Sequence, residues 1–269
     1  MMDRLCFGGL RLNAGRRIEL VIVDDASPLE SETVAVVRAV SDWADVIYHR
    51  NQSNLGYVRS ANKGFSLATG SYLLLCNSDT RLSPGALDRL IEAIDADSRM
   101  GMAGPVTNGA FNSKLQTANN LPVPLKSFSD TEIARFDEFG RALALQTGRF
   151  LEAGWLLGFC AMIRREVFES IGGLDEGFGF GYLEEVDYAI RMRRAGWKLA
   201  VVPNAFVFHG GLLRSLQFAG PNAGSQTNRS FPLRTFFWIT KGLFYLVRKY
   251  GWKAVGIPQD AGGAAERGF

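Results

Sequence analysis

The 269-residue sequence is short of the side chains that staple a fold or load it with metal: three cysteines and two histidines. Cys6, Cys76 and Cys160 are odd in number, far apart and set among apolar neighbours. Neither a disulfide framework nor a zinc site follows from that spacing. The three read as reduced core residues of a cytosolic protein. The sequence also lacks a strong charge of one sign. Its formal net charge of +3 argues against a nucleic-acid binder, which carries a basic stripe. With 21% charged residues the composition is globular, not disordered. Met1 to Gly15 has no long apolar stretch, so no signal peptide is expected. No internal repeat is found.

What is present fits one large single-core domain, or a domain with an appendage: 47% of the residues are hydrophobic. The N-terminal half alternates strand-like and helix-like segments. Ile18 to Val23 is a short apolar run broken by Asp24-Asp25-Ala26-Ser27-Pro28, a buried strand ending in a turn. Val34, Val37 and Val40 recur at helical spacing, and Val46 to Tyr48 is a second strand. A helix is expected over Tyr57 to Ala68, closed by Gly70. Tyr72 to Cys76 is a third strand, and Pro84 opens a helix running to Ile94. This alternation implies a mostly parallel sheet flanked by helices.

Thr107 to Ser127 reads as a long surface loop, and Asp130 to Leu145 as an amphipathic helix. Leu156 to Ile163 is another strand. Gly172 to Gly181 holds five glycines, a turn where backbone approaches something closely. A helix over Leu183 to Ala195 and short strands at Leu199 to Val202 and Phe206 to Phe208 follow. Phe236 to Val247 is apolar with basic residues after it, too short and charged to span a bilayer. It either packs on the core or a partner, the preferred reading, or lies in a membrane surface.

In a parallel α/β sheet the natural site is the crevice at the carboxyl ends of the strands. The polar residues just after each strand are therefore the candidates. Asp24-Asp25 can grip a base or ribose, or simply form an Asx-turn ahead of a helix. Asn54-Leu55-Gly56 and Asn62-Lys63-Gly64 bracket the next turn and helix, where Asn54 can cap and Gly56 lets backbone approach a ligand; taken alone, ordinary turn chemistry is the better explanation. Asp79 is the best metal-ligand candidate, with Asn77 as a neutral oxygen donor, against a solvated strand-end turn. Glu184, Glu185 and Asp187 sit at a helix N-terminus, which favours acids anyway, and Asp187 can pair with Arg191. His209 is either a metal ligand or a satisfied strand-end residue. His49 has no such context.

In this order, VIVDDAS, NLGYVRSANKG, YLLLCNSD and GFCAMIRREVFESIGGLDEGFGFGYLEEVDYAIRMRRAGWKLAVVPNAFVFHGG resemble family 2 glycosyltransferases, from about Ile18 to Gly211. The likeness is strongest to bacterial members that build rhamnose-containing and other cell-surface polysaccharides. The resemblance implies a GT-A, Rossmann-like α/β fold: a mixed, mostly parallel sheet flanked by helices, occupying residues 1–230, followed by a C-terminal amphipathic helix and flexible tail at 231–269. It implies inverting, metal-dependent transfer of a sugar from a UDP- or dTDP-linked donor to a glycan or lipid-linked glycan. Asp24 and Asp25 would contact the nucleotide, with Asn54, Gly56, Asn62 and Asn77 lining its pocket. Asp79 and His209 would hold manganese or magnesium. Glu185 would be the catalytic base, with Asp187 in reserve, and Trp155 and Glu184 would face the acceptor.

The Gln-x-x-Arg-Trp motif of processive synthases is absent, so one sugar per encounter is expected. A cytoplasmic location at the inner face of the membrane, peripheral membrane contact through the C-terminal helix, a homo-oligomer and no nucleic-acid partner complete the expectation. One departure stands out. Family members begin with a strand ending in Pro-x-Tyr/Phe-Asn and a helix, and Met1 to Arg17 contains neither. Either the start is misassigned or this is a truncated relative. A gap between neighbouring strands should follow, and the alternative function is a catalytically weak nucleotide-sugar binder. A sugar-1-phosphate nucleotidyltransferase ranks last, because its glycine-rich Arg loop is missing.

Overall fold

A computed structural model describes residues 3–13, 15, 17–28, 30–109, 113–118, 121, 129–210 and 233–254. Much of the expected loop between 107 and 127, Gly211 and the tail beyond Ala254 lie outside the described residues. A π-turn at Asp3–Phe7 runs into α1 (Gly8–Arg11). Then come β1 (Glu19–Asp24), α2 (Glu30–Val40), β2 (Asp45–Arg50), α3 (Tyr57–Leu67), β3 (Tyr72–Cys76), β4 (Thr80–Leu82) and α4 (Ala86–Asp95). β5 (Met100–Val106), α5 (Asp130–Ala144), β6 (Leu151–Glu152), β7 (Cys160–Arg164), α6 (Arg165–Ile171), α7 (Glu184–Arg194), β8 (Lys198–His209) and α8 (Leu233–Tyr250) follow.

Six strands form one mixed sheet in the order β3-β7-β5-β8-β4, with β6 on the side of β8. β5 and β8 run parallel; the other pairings in this sheet are antiparallel. Helices pack on both faces. Alternate residues therefore serve different cores: Ala161, Ile163, Leu199 and Val201 face one cluster, Cys160, Met162, Ala200 and Val202 the other. Burial on both faces is what an apolar run without polar alternation requires.

Several boundaries differ from the sequence expectation, for local reasons. The two short strands at the C-terminal end are one, because β8 absorbs Pro203 in an irregularity where its register on β5 jumps from Val202 to Phe206. β5 (MGMAGPV) escaped notice because two glycines and a proline dilute its strand signal. Those glycines answer to packing: a Cβ on Gly101 would lie 2.7 Å from a Val167 methyl. α3 ends at Ala68 in extended conformation, not at Gly70, and α4 is entered through Gly85 in the left-handed region, one residue after Pro84.

β1 and β2 stand apart as a parallel pair. Among the described residues β1 pairs only with β2, and β3 only with β7. A cavity of about 810 Å³ separates β1 from β3, walled by α3 and by Phe7 of the N-terminal segment, and it reaches Asn77, Ser78 and Asp79. The expected gap between neighbouring strands is there. Its near end is tied across by the Glu19 carboxylate, which accepts from the Thr69 N–H (2.8 Å) and hydroxyl (2.6 Å). Among the described residues no helix is long and apolar enough to cross a membrane.

Candidate active site

The residues expected on the donor side lie at the carboxyl ends of β1 and β3. Asp24 is buried and fully engaged: it accepts from the Ser27 N–H (2.7 Å), the Tyr48 hydroxyl (3.0 Å) and the Arg50 guanidinium. It fixes the turn after β1, where Ala26 takes a positive φ of 59°. Asp25 accepts from Asn51 (2.8 Å), the Leu55 N–H (2.8 Å) and the Gly56 N–H (2.9 Å). Burial alone would raise its pKa; these donors together outweigh burial and hold it below the ordinary carboxylate range. Asp25 thus shapes the Asn54-Leu55-Gly56 loop. Asn54 is exposed and does not cap; the residue before α3 is Gly56, at φ 86°. A Cβ on Gly56 would lie 2.7 Å from the Phe180 ring, so its close approach is to the glycine-rich turn.

Asn62 has both ends of its amide on Leu174, donating to the carbonyl (2.8 Å) and accepting from the N–H (2.8 Å). That ties α3 to the glycine-rich turn, which is the role the structure gives it. Asn77, Ser78 and Asp79 lie at the mouth of the cavity. Asp79 Oδ1 is 3.6 Å from His209 Nε2. His209 is held from behind by Asn108, whose amide bonds its N–H (2.7 Å) and carbonyl (3.2 Å). Burial lowers the His209 pKa against the pull of Asp79 and Cys76, which favours the neutral, ligating imidazole. Sequence reasoning missed Asn51 and Asn108, since neither stands in a motif.

The residues expected on the acceptor side lie at the N-terminus of α7. Tyr182 (φ 74°) and Leu183 (φ 70°) precede it in the left-handed region, rare for non-glycine residues and common at functional sites. Glu184 is 6% exposed, and its Oε2 has no hydrogen-bond partner among the described residues. Burial, then the neighbouring Glu185, push its pKa up to about 8. Burial also raises Glu185. Tyr57 donates to the Gly158 carbonyl (2.9 Å), and its own pKa is lifted by burial and by both glutamates. Trp155 is half-buried against the core.

Asp187 is a correction. It is completely buried and accepts from Arg191 (2.8 Å), Lys249 (2.6 Å) and the Tyr250 hydroxyl (2.7 Å). A carboxylate so enclosed cannot reach an acceptor hydroxyl, and its work is to bind α7 to α8. The pairing with Arg191 was legible from the spacing; Lys249 and Tyr250, 62 and 63 residues away, were not.

Two consecutive residues join the halves. A Cβ on Gly158 would lie 4.0 Å from Glu184 and from Glu185, while the next ring, Phe159, stacks on His209 at 5.0 Å. Asn77 donates its N–H to the Phe159 carbonyl (2.9 Å). The Asp79–His209 pair and the Glu184–Glu185 pair therefore flank one segment. The cysteines are all free thiols; Cys76 stands opposite Cys160 in the β3–β7 register.

The sequence profile of glycosyl transferase family 2 matches residues 6–172. The chain belongs to glycosyl transferase family 2. This family 2 glycosyltransferase is 26% identical, over 216 residues, to the N-acetylglucosaminyl-diphospho-decaprenol L-rhamnosyltransferase of Mycobacterium tuberculosis (strain ATCC 25618 / H37Rv), covering 74% of this chain and 69% of the relative. It is 33% identical over 96 residues to the rhamnosyltransferase WbbL of Escherichia coli K12, covering 35% and 31%. Its GT-A fold is that of the mannosyltransferase PcManGT from Pyrobaculum calidifontis, solved with GDP-Man and Mn2+ (TM-score 0.51, 17% identity, 97% of this chain and 74% of that one). It is also that of GalNAc-T7, solved with UDP, GalNAc and Mn2+ (TM-score 0.53, 19% identity). That match covers 71% of this chain and 37% of the other, so the chain spans little more than a third of GalNAc-T7.

Proposed function

We propose that this family 2 glycosyltransferase moves a single sugar from a UDP- or dTDP-linked donor to a hydroxyl of a lipid-linked glycan, with inversion, in the assembly of bacterial cell-surface polysaccharide at the cytoplasmic face of the membrane. The observation that carries the reading is the Gly158–Phe159 segment, flanked by an acid–imidazole pair on one side and two perturbed glutamates on the other. The rhamnosyltransferase named above, whose own name specifies a diphospho-decaprenol acceptor, supports the acceptor class.

In this mechanism the acceptor oxygen attacks the anomeric carbon as the bond to the diphosphate breaks, and the hydroxyl proton passes to Glu185. One displacement inverts the centre. Glu184, with a pKa of about 8, keeps its proton at neutral pH and donates a hydrogen bond to the acceptor. Asp25 holds the loop that borders the nucleotide. Asp79 and His209 fit a divalent cation: one carboxylate oxygen and one imidazole nitrogen, both side chains partly exposed to the cleft. Magnesium and manganese sites of this kind take their other ligands from phosphate and water. A cation there would offset the charge of the leaving diphosphate.

The open slot between β1 and β3 favours a second reading, donor binding with little turnover, because the slot ends at the donor residues. Transfer from a panel of UDP-, dTDP- and GDP-sugars to a polyprenyl-diphosphate-linked sugar separates the two. Product formed by the wild type and reduced about a thousandfold in Glu185→Gln supports transfer. Donor binding without product, in both proteins, supports the second reading.

A further inference from the structure

α8 has two unlike faces. The inner face grips the site. Leu246 is buried; Tyr245 packs edge-on against Phe178 at 4.9 Å; Lys249 bonds Asp175 and Asp187; and a Cβ on Gly242 would lie 2.6 Å from the Tyr182 carbonyl oxygen. The outer face is exposed. Phe237, Lys241, Phe244 and Arg248 recur at helical spacing along one exposed stripe, which Trp252 and Lys253 continue. Phe237 is 58% exposed, Phe244 71% and Trp252 75%, unusual for large apolar side chains.

We propose that this outer face docks on an anionic lipid bilayer. Charge complementarity selects the partner. From Leu233 to Ala254 the chain carries Arg234, Lys241, Arg248, Lys249 and Lys253 and no acidic residue. Aromatic rings interleaved with cations suit the headgroup boundary, where the rings enter the acyl edge and the cations meet phosphates. A protein partner fits less well, because lysine is depleted at the centres of protein interfaces. Here Lys241 stands between Phe237 and Phe244, its ammonium 4.7 Å from the Trp238 ring centroid. Among the described residues no helix is long and apolar enough to cross a membrane, so the proposed contact is with the bilayer surface.

The surface continues onto the glycine-rich turn. The Phe180 ring lies 4.9 Å from that of Trp238, and both Phe180 and Tyr182 are exposed. Tyr182 is two residues before Glu184. A bilayer against α8 therefore borders the acceptor side, where a lipid-linked sugar would present its hydroxyl. That last consequence rests on the proposed reaction; the docking does not.

The test is co-sedimentation of the full chain with vesicles of phosphatidylcholine, and of phosphatidylcholine mixed with phosphatidylglycerol. Binding to the mixed vesicles, weakened by salt and about tenfold lower on phosphatidylcholine alone, is expected. Phe237→Ser/Phe244→Ser/Trp252→Ser should lower it about a hundredfold with an unchanged melting temperature, since these side chains face solvent. Lys241→Glu/Arg248→Glu should abolish the preference for anionic lipid. No sedimentation by the wild type, or equal sedimentation by the triple variant, overturns the proposal. So does a dimer that the triple substitution dissociates while vesicle binding is absent, which would assign the face to a second copy. Because vesicle binding reads no sugar transfer, it stands or falls separately from the reaction.

Discussion

The β1–β2 pair and the six-stranded sheet are written in similar residues and end up differently placed. ELVIVD of β1 is as apolar as CAMIR of β7, yet β1 is half-buried over five of its six positions while β7 is buried at four of five. The difference is pairing. β7 lies between β3 and β5 and has helices on both faces; among the described residues β1 has one neighbouring strand and faces a cavity on its other edge. Apolar content states what a strand would bury, and the neighbouring strand decides whether it does. The proposed site straddles both regions, with the proposed nucleotide loops on the open pair and the proposed base on the closed sheet's helix α7.

The comparison can be broken at its strongest point first. Asp187→Ala leaves Arg191 and Lys249 without their shared carboxylate in the closed region, and stability should fall by about 3–5 kcal/mol in urea denaturation. A loss under about 1 kcal/mol would mean that α8 does not brace α7. Next, Leu199→Ala in β8 should cost about 3 kcal/mol. Val21→Ala in β1 should cost less than about 1 kcal/mol, since Val21 lines the open cavity. Equal costs would show that the slot is filled in solution.

The third prediction concerns pH. Glu184 ionises near the ordinary 4.5 when unfolded and near 8 when folded. Its burial therefore costs nothing below pH 4.5, costs progressively more as pH rises towards 8, and is constant above. Glu184→Gln should raise the melting temperature by an amount that grows from about pH 4.5 and levels off near pH 8. A gain independent of pH would place the ionisation elsewhere. The smallest effect belongs to Asp25→Asn. The Asp25 pKa is lowered, so its contribution is present above the unfolded carboxylate range and lost as pH falls through the folded value. Solvent exposure limits it to about 0.5 kcal/mol at neutral pH, read as a small loss of melting temperature that disappears in acid.

Much of this was legible. β1, α3, β3 and α7 stand within a residue or two of their sequence positions, because their apolar periodicity is undisturbed. β5 was not, since Gly101, Gly104 and Pro105 are required by packing and erase the strand signal. Motif order pointed to the family and singled out Asp79, His209, Glu184 and Glu185, which lie around Gly158 and Phe159. It ranked Glu185 ahead of Asp187 but kept Asp187 in reserve, because charge and helix position are alike for both. Only Lys249 and Tyr250, arriving from α8, show that Asp187 is enclosed. Nor could it show that the Asn62 amide is engaged with Leu174, a contact across 112 residues.

The most direct measurement is a thermal-shift titration of UDP and dTDP, with and without manganese, on the wild type, Asp79→Asn and Glu185→Gln. A two-part site predicts a metal-dependent rise in melting temperature for the wild type, the same rise for Glu185→Gln, and loss of the metal-dependent part in Asp79→Asn. No shift for a cooperatively melting wild type, or loss of the shift in Glu185→Gln as well, would contradict it.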